Sequence, residues 1–377
     1  GTNEDPESGR AGGDEYLLFH AEPWSENVRP GEGEVKSSVL HDSGFCILRA
    51  GENSESRCHL VLNYGKGNRG HGHRDKLALN LIAFGYDLSA DLGYPPSWIA
   101  PKMAGWETHT ASHFTALIDG ENQEYATGSL DRFVDGPWVR LIEASGERAY
   151  PNAELYKRTL ALVPLDEERS YVVDLFRIGG GSTHDYSAHS LAGEEGSFFD
   201  LKLAGGIKMD RHTAGTLAGE DTSFGDVPGY GWIRDVSSAA TNEGIVATWK
   251  TAEEGPGIRL QILGSEGSEI YTGLGEGTGL QGDSPWDPYL ILRRSGKGGK
   301  QNEFLGILEP FSDEPWLDEV APIFVDGDTV GVKVCCGDVT HYVVHGDSSG
   351  ARDVILDGIP MRFKGNWAFI ERRNASV

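Results

Sequence analysis

The sequence predicts an all-β protein: a large antiparallel β-sandwich followed by a smaller C-terminal β unit. Three observations carry that expectation. Apolar runs of strand length recur at intervals of about 8 to 20 residues. Gly, Asp, Asn and Pro fill the gaps, and the 52 glycines follow no collagen-like period. No long segment repeats apolar residues at the 3.6-residue spacing of an amphipathic helix.

Taken in order, residues 1–35 are polar and rich in Gly, Pro and Glu, with an aromatic island at Tyr16, Phe19 and Trp24. They read as a linker or domain-entry segment. The runs 44–49 and 59–63 are the first strands expected. Residues 77–84 form another, Gly85 supplies a turn, and 86–91 return antiparallel. Runs 114–118, 138–143, 158–163 and 171–176 continue the pattern, whereas 190–240 is Gly- and acid-rich and suggests long loops. Runs 244–249, 257–262, 289–293 and 304–308 follow, then 329–334 and 341–345. Lys297, Gly298, Gly299 and Lys300 read as a seam, so 36–300 is assigned to the sandwich and 301–377 to the smaller unit.

A 38% hydrophobic and 10% aromatic content supports a folded core and excludes wholesale disorder. The net charge of −25 argues against nucleic acid and against an anionic membrane surface as partners. Any anion site must then be a local basic island. Lys66, Arg69, His71, His73, Arg74 and Lys76 form one; Arg293, Arg294, Lys297 and Lys300 read as solvated loop charges. Cys46, Cys58, Cys335 and Cys336 are too few for a disulfide scaffold, and the adjacent pair would face opposite sides of a strand. No apolar run is long enough to span a membrane, no signal peptide is recognisable, and the polar start reads as a processed or truncated end.

The chemistry concentrates at Gly70, His71, Gly72, His73, Arg74, Asp75 and Lys76. In extended backbone His71 and His73 share a face, and the glycines permit close approach of a ligand. Asp91 closes the expected hairpin, and His113 precedes the next strand. Imidazoles and a carboxylate converging from successive strands suit zinc with a water in the fourth position, hydrogen-bonded loop histidines being the plain alternative. His109 competes with His113 as ligand, and Asp75 is a candidate to orient an imidazole. Trp98 and Trp106 are candidates to stack on sugar rings or to pack in the core. His184, Tyr186 and His189 could line a cleft or bond structurally. No Gly-x-Ser-x-Gly, phosphate-loop or Cys-x-x-Cys motif occurs.

Asn63, Tyr64 and Gly65, then His71, His73, Asp75 and Leu77, then Asp91 and Gly93, then Thr110 and His113, then Asp119, Gly120 and Gln123 stand in recognisable order. The pattern resembles the heparinase II/III-like polysaccharide lyases over residues 36–125, with weaker likeness through Arg158, Asp174, residues 184–189, 288–293 and 308–311. The resemblance implies that His73, Asp91 and His113 hold a structural zinc and that His71 faces the uronic acid. Phe114 departs from it, because the family's usual Asn follows the last ligand.

These lyases also carry a helical α/α toroid that supplies the acid Tyr. No such region is present in this sequence, so the chain reads as the sandwich portion of a longer enzyme, cut from it or separately encoded. Tyr94 lies near the motif but reads as a packed loop aromatic. The resemblance implies β-elimination on an anionic, uronate-containing polysaccharide such as a glycosaminoglycan or alginate-like chain, in a bacterial extracellular or periplasmic setting. The rivals are a non-catalytic carbohydrate-binding or structural module, and a metal-dependent glycan hydrolase.

Overall fold

The computed structural model describes residues 36–51, 57–65, 72–89, 91–93, 99–190, 198–277, 285–323, 329–346 and 349–373. They fall within one compact unit, Lys36–Val377. The expected linker at 1–35 lies outside the described residues.

The architecture is all-β. An eight-stranded antiparallel sheet runs, edge to edge, Phe198–Leu203, Ile245–Lys250, Gly257–Ile262, Asn302–Phe311, Ser170–Gly179, Leu155–Pro164, Arg140–Ser145 and Ser129–Asp135. Its inner face carries Ile142, Leu160, Leu162, Val172, Phe176, Leu260 and Leu308. These pack in one core with Tyr186, Ala188, Leu290 and Leu292 of a six-stranded sheet, and with Leu48, Leu60 and Leu81 of a five-stranded one. The alternation is strict on the small sheet, where Phe45–Ala50 and Cys58–Asn63 bury every second residue. Both faces of the large sheet are covered, which is why Ser170–Gly179 is buried along its whole length.

The outer face of the large sheet receives a four-stranded C-terminal sheet. Val163, Tyr171, Val173, Leu175 and Ile307 pack there against Val332, Val334 and Val343. The sequence seam at residue 300 does not separate these layers. Asn302–Phe311 sits between Ser170–Gly179 and Gly257–Ile262, paired on both sides, and the small sheet begins only at Glu319. The glycines at 298 and 299, with φ of 74° and 78°, mark a tight turn that carries the chain from Trp286–Ser295 of the six-stranded sheet to Asn302–Phe311 of the eight-stranded one.

The hairpin expected at 77–91 is present: Leu79–Ala83 pairs with Tyr86–Asp87 across Gly85, at φ 77°. The region 190–240 is more regular than its composition suggested, since it contains Phe198–Leu203 and most of Ile233–Thr241. The four cysteines are free thiols. The arginines read as loop charges are structural. Arg293 grips buried Asp185 through two bonds of 2.7 and 2.8 Å, and Arg294, 2% exposed, donates to Ser268 Oγ at 3.0 Å. Lys297 and Lys300 are exposed, as expected. No helix among the described residues is long and apolar enough to cross a membrane.

Candidate metal centre

Three loops meet at one end of the sandwich. The first, carrying His73, follows Asn63 at the end of a strand. Leu77 N–H donates to Asn63 O at 2.7 Å, and Leu77 adopts φ 59° to turn the chain into the next strand. The second carries Asp91 just past the hairpin. The third is a single 3-10 turn, Thr110–Ser112, that delivers His113.

These loops are laced together. Arg74 N–H donates to Thr108 O at 3.1 Å, and Thr110 Oγ1 returns a bond to Arg74 O at 2.7 Å. Gln123 Oε1 accepts from Lys76 N–H at 2.7 Å, while its amide donates to Lys76 O and to Tyr156 Oη. Asn122 Oδ1 accepts from Thr110 N–H at 3.0 Å.

The result brings three donor atoms together. Asp91 Oδ2 lies 3.1 Å from His73 Nδ1 and 3.0 Å from His113 Nε2, and the two imidazole nitrogens are 3.0 Å apart. Both imidazoles are buried, while the Asp91 side chain is 34% exposed and leaves an open side. Burial alone would raise the Asp91 carboxyl, but the His113 charge and bonds to both imidazoles hold it well below the usual carboxylate range. Burial would lower His113, and the Asp91 charge and hydrogen bond overcome it, so its imidazole is raised.

The donor set fits a borderline divalent ion. His113 Nδ1–H donates to the His109 carbonyl at 2.9 Å, which aims Nε2 at Asp91 and fixes the ring in the manner of metal-ligating histidines. Zinc at about 2.0–2.1 Å from each atom would set tetrahedral neighbours about 3.3 Å apart, close to the spacing found. Two imidazoles and one carboxylate make a three-ligand set with room for a fourth group.

Several sequence candidates take other roles. His109 caps the 3-10 turn, its Nδ1 accepting from Ala111 N–H at 3.1 Å, and burial with nearby positive charge pushes it down to about 3. It is not among the three donors that gather at Asp91. Among the described residues Asp75 bonds no imidazole: it accepts from Asn63 Nδ2 at 2.6 Å and Lys76 Nζ at 2.9 Å. Lys76, 2% exposed, is thus absent from the surface island, and Arg74 lies over the Tyr125 ring at 4.6 Å. Trp106 is fully buried, donates to Glu276 O at 2.7 Å and packs on Tyr289, so it is core. His184 bonds Gly180 O and Asn302, Tyr186 donates to Asp174, and His189 stacks on Tyr289, all three within the interior. His71, the candidate base, lies outside the described residues, as do Lys66, Arg69, Tyr94 and Trp98.

Of two buried charge clusters near the centre, the sequence shows no sign of the first, and marks the residues of the second only through the family likeness. Lys102 Nζ lies 3.4 Å from both Glu107 and Glu276 and donates to Gly277 O at 2.7 Å. Arg158 forms a bidentate pair with Asp174. Asp174 also interrupts an otherwise apolar run, Val172, Val173, Leu175 and Phe176, and a charge in such a run is the physical signal that marks it.

The model of the family Heparinase II/III-like, C-terminal matches residues 33–251, more than half of the chain. The chain belongs to that family. No curated protein sequence matches it. Among solved structures, the heparan sulfate lyase HepC from Pedobacter heparinus is 13% identical with a TM-score of 0.59, covering 89% of this chain and 43% of that one. A heparinase III structure is 15% identical with a TM-score of 0.55, covering 84% of this chain and 43% of its own. At such identities the likeness shows the fold. The chain spans less than half the length of those proteins.

Proposed function

We propose that this member of the Heparinase II/III-like C-terminal family is the β-sheet portion of a polysaccharide lyase that cleaves a uronate-containing polymer by β-elimination. The observation that carries the reading is the meeting of His73, Asp91 and His113 beside the motif that holds His71. The solved structures of similar fold include heparan sulfate lyases, which favours a glycosaminoglycan over an alginate-like chain.

The chemistry sets the demands. Removing the proton next to the uronate carboxylate requires that carboxylate to be hydrogen-bonded or neutralised, and a base must take the proton. His71, two residues before His73, is assigned that contact with the sugar acid. The acid that protonates the leaving oxygen is assigned to a Tyr of a helical α/α toroid in the same or a partner chain. A zinc ion held by His73, Asp91 and His113 would order the loops and supply a fixed positive charge. The protein's own residues keep the loops in register through Arg74, Thr110 and Gln123. An intact polymer does not cross a membrane, so the enzyme is placed in the extracellular or periplasmic space.

The test uses the full-length protein on a panel of heparan sulfate, heparin, other glycosaminoglycans and alginate. A lyase raises ultraviolet absorbance through its unsaturated product, and His71→Ala abolishes the rise. A product heavier by one water identifies a hydrolase instead. Saturable binding without any product leaves only a binding module.

A further inference from the structure

We infer that Arg158 is a positioning residue for the ligand triad, its guanidinium setting the backbone that carries His73 and His113. The inference rests on reading the triad as a metal site. Arg158 is fully buried on the inner face of the large sheet. Its Nη1 donates to Leu77 O at 2.7 Å and to Phe114 O at 2.8 Å. Leu77 ends the loop that carries His73, and Phe114 directly follows His113. One nitrogen thus ties the two imidazole-bearing segments, which also meet through Leu79 N–H and Phe114 O at 3.1 Å.

The other side of the guanidinium is held as firmly. Nε and Nη2 donate to the two Asp174 oxygens at 2.9 and 2.6 Å, and Tyr186 Oη, from the facing sheet, donates to Asp174 at 2.6 Å. A buried ion pair of this kind contributes little net stability against a well-packed apolar substitute, so stability alone does not explain its place in a core of Phe114, Phe176 and Tyr186. What an apolar residue could not do is hold two carbonyls from separate segments on one nitrogen while the fork of the other two fixes that nitrogen against Asp174. Lysine keeps the charge and loses the fork.

The experiment compares full-length wild type, Arg158→Lys, Tyr186→Phe and the control Val332→Ala, a buried site on the C-terminal sheet. Zinc affinity is measured by chelator competition, and amide exchange is followed on metal-free protein. Arg158→Lys is expected to weaken zinc by about 10–100-fold, the scale of lost outer partners. Tyr186→Phe should weaken it less, and Val332→Ala should lower thermal stability with zinc affinity within twofold of wild type. Exchange should rise in 72–79 and 108–116 and not in the C-terminal sheet. Zinc affinity within twofold of wild type in both clamp variants, or exchange rising uniformly, overturns the inference. If wild type takes up no zinc the metal reading falls, and the exchange pattern alone decides the role of Arg158. If Arg158→Lys does not fold, Tyr186→Phe decides by the same readouts.

Discussion

Replacing Asp91 with Asn tests the metal centre at its only charged ligand. The substitution keeps shape and removes one negative charge 3.0 Å from His113 Nε2. Removing one partner of a paired charge in a site this buried costs about 3 kcal/mol, or about two decades of affinity. A ligand at 100 times its dissociation constant stabilises the folded protein by about 2.7 kcal/mol. For a chain of this size that raises the melting temperature by about 3 °C. With affinity about a hundredfold weaker, the same free zinc would stabilise Asp91→Asn by about 0.4 kcal/mol and shift its melting by about 0.5 °C. Scanning calorimetry on chelator-stripped protein at buffered free zinc reads both values. A shift of wild-type size in Asp91→Asn, or no shift in wild type with any divalent ion, refutes the reasoning.

Two further outcomes follow from packing and titration. Trp106→Ala should cost about 3–5 kcal/mol in denaturant unfolding, because it empties a fully buried site and strands the Glu276 carbonyl. Reduced polymer affinity with stability intact would instead return Trp106 to the sugar site. Docking of the C-terminal sheet should weaken in acid. Burial lowers His341, which is held neutral between Tyr171 and Glu371, so its contribution is complete above about pH 6.5 and is lost as pH falls through its folded value. Burial would raise Glu143, but the pairing with His345 at 3.7 Å and Lys157 bring it to about 2, so its contribution is lost between about pH 4.5 and 2. Thermal melts from pH 7 to 3 should decline in both windows, and His341→Gln should flatten the upper one; an unchanged profile would exclude His341.

The fold was legible wherever strands lie between two apolar layers. Ser170–Gly179 and Gly257–Ile262 announce themselves because core packing demands apolar side chains there. Ser129–Asp135 and Phe198–Leu203 did not, because each is an edge strand whose exposed positions are mostly Ser, Asp and Lys, the composition of a loop. The seam at 300 failed for a related reason. Two glycines mark a sharp turn between two packed sheets, and such a turn looks the same in sequence as a break between domains.

The site shows the same division between side-chain type and backbone path. That imidazoles and a carboxylate would gather could be read from residue types and from the hairpin that returns Asp91. Between His109 and His113 the residue types alone did not choose, since both are buried and close in sequence, and only the family pattern favoured His113. The 3-10 turn supplies the physical difference between them. His109 stands at its start, where an imidazole nitrogen can accept from the Ala111 amide, and His113 at its end, where Nδ1 reaches back to the His109 carbonyl. One histidine is spent on building the turn, and the turn orients the other toward Asp91. The same logic places Arg158, distant in sequence, at the two carbonyls behind the ligands. In this fold the residues that prepare the metal site are recognised by the backbone atoms they hold.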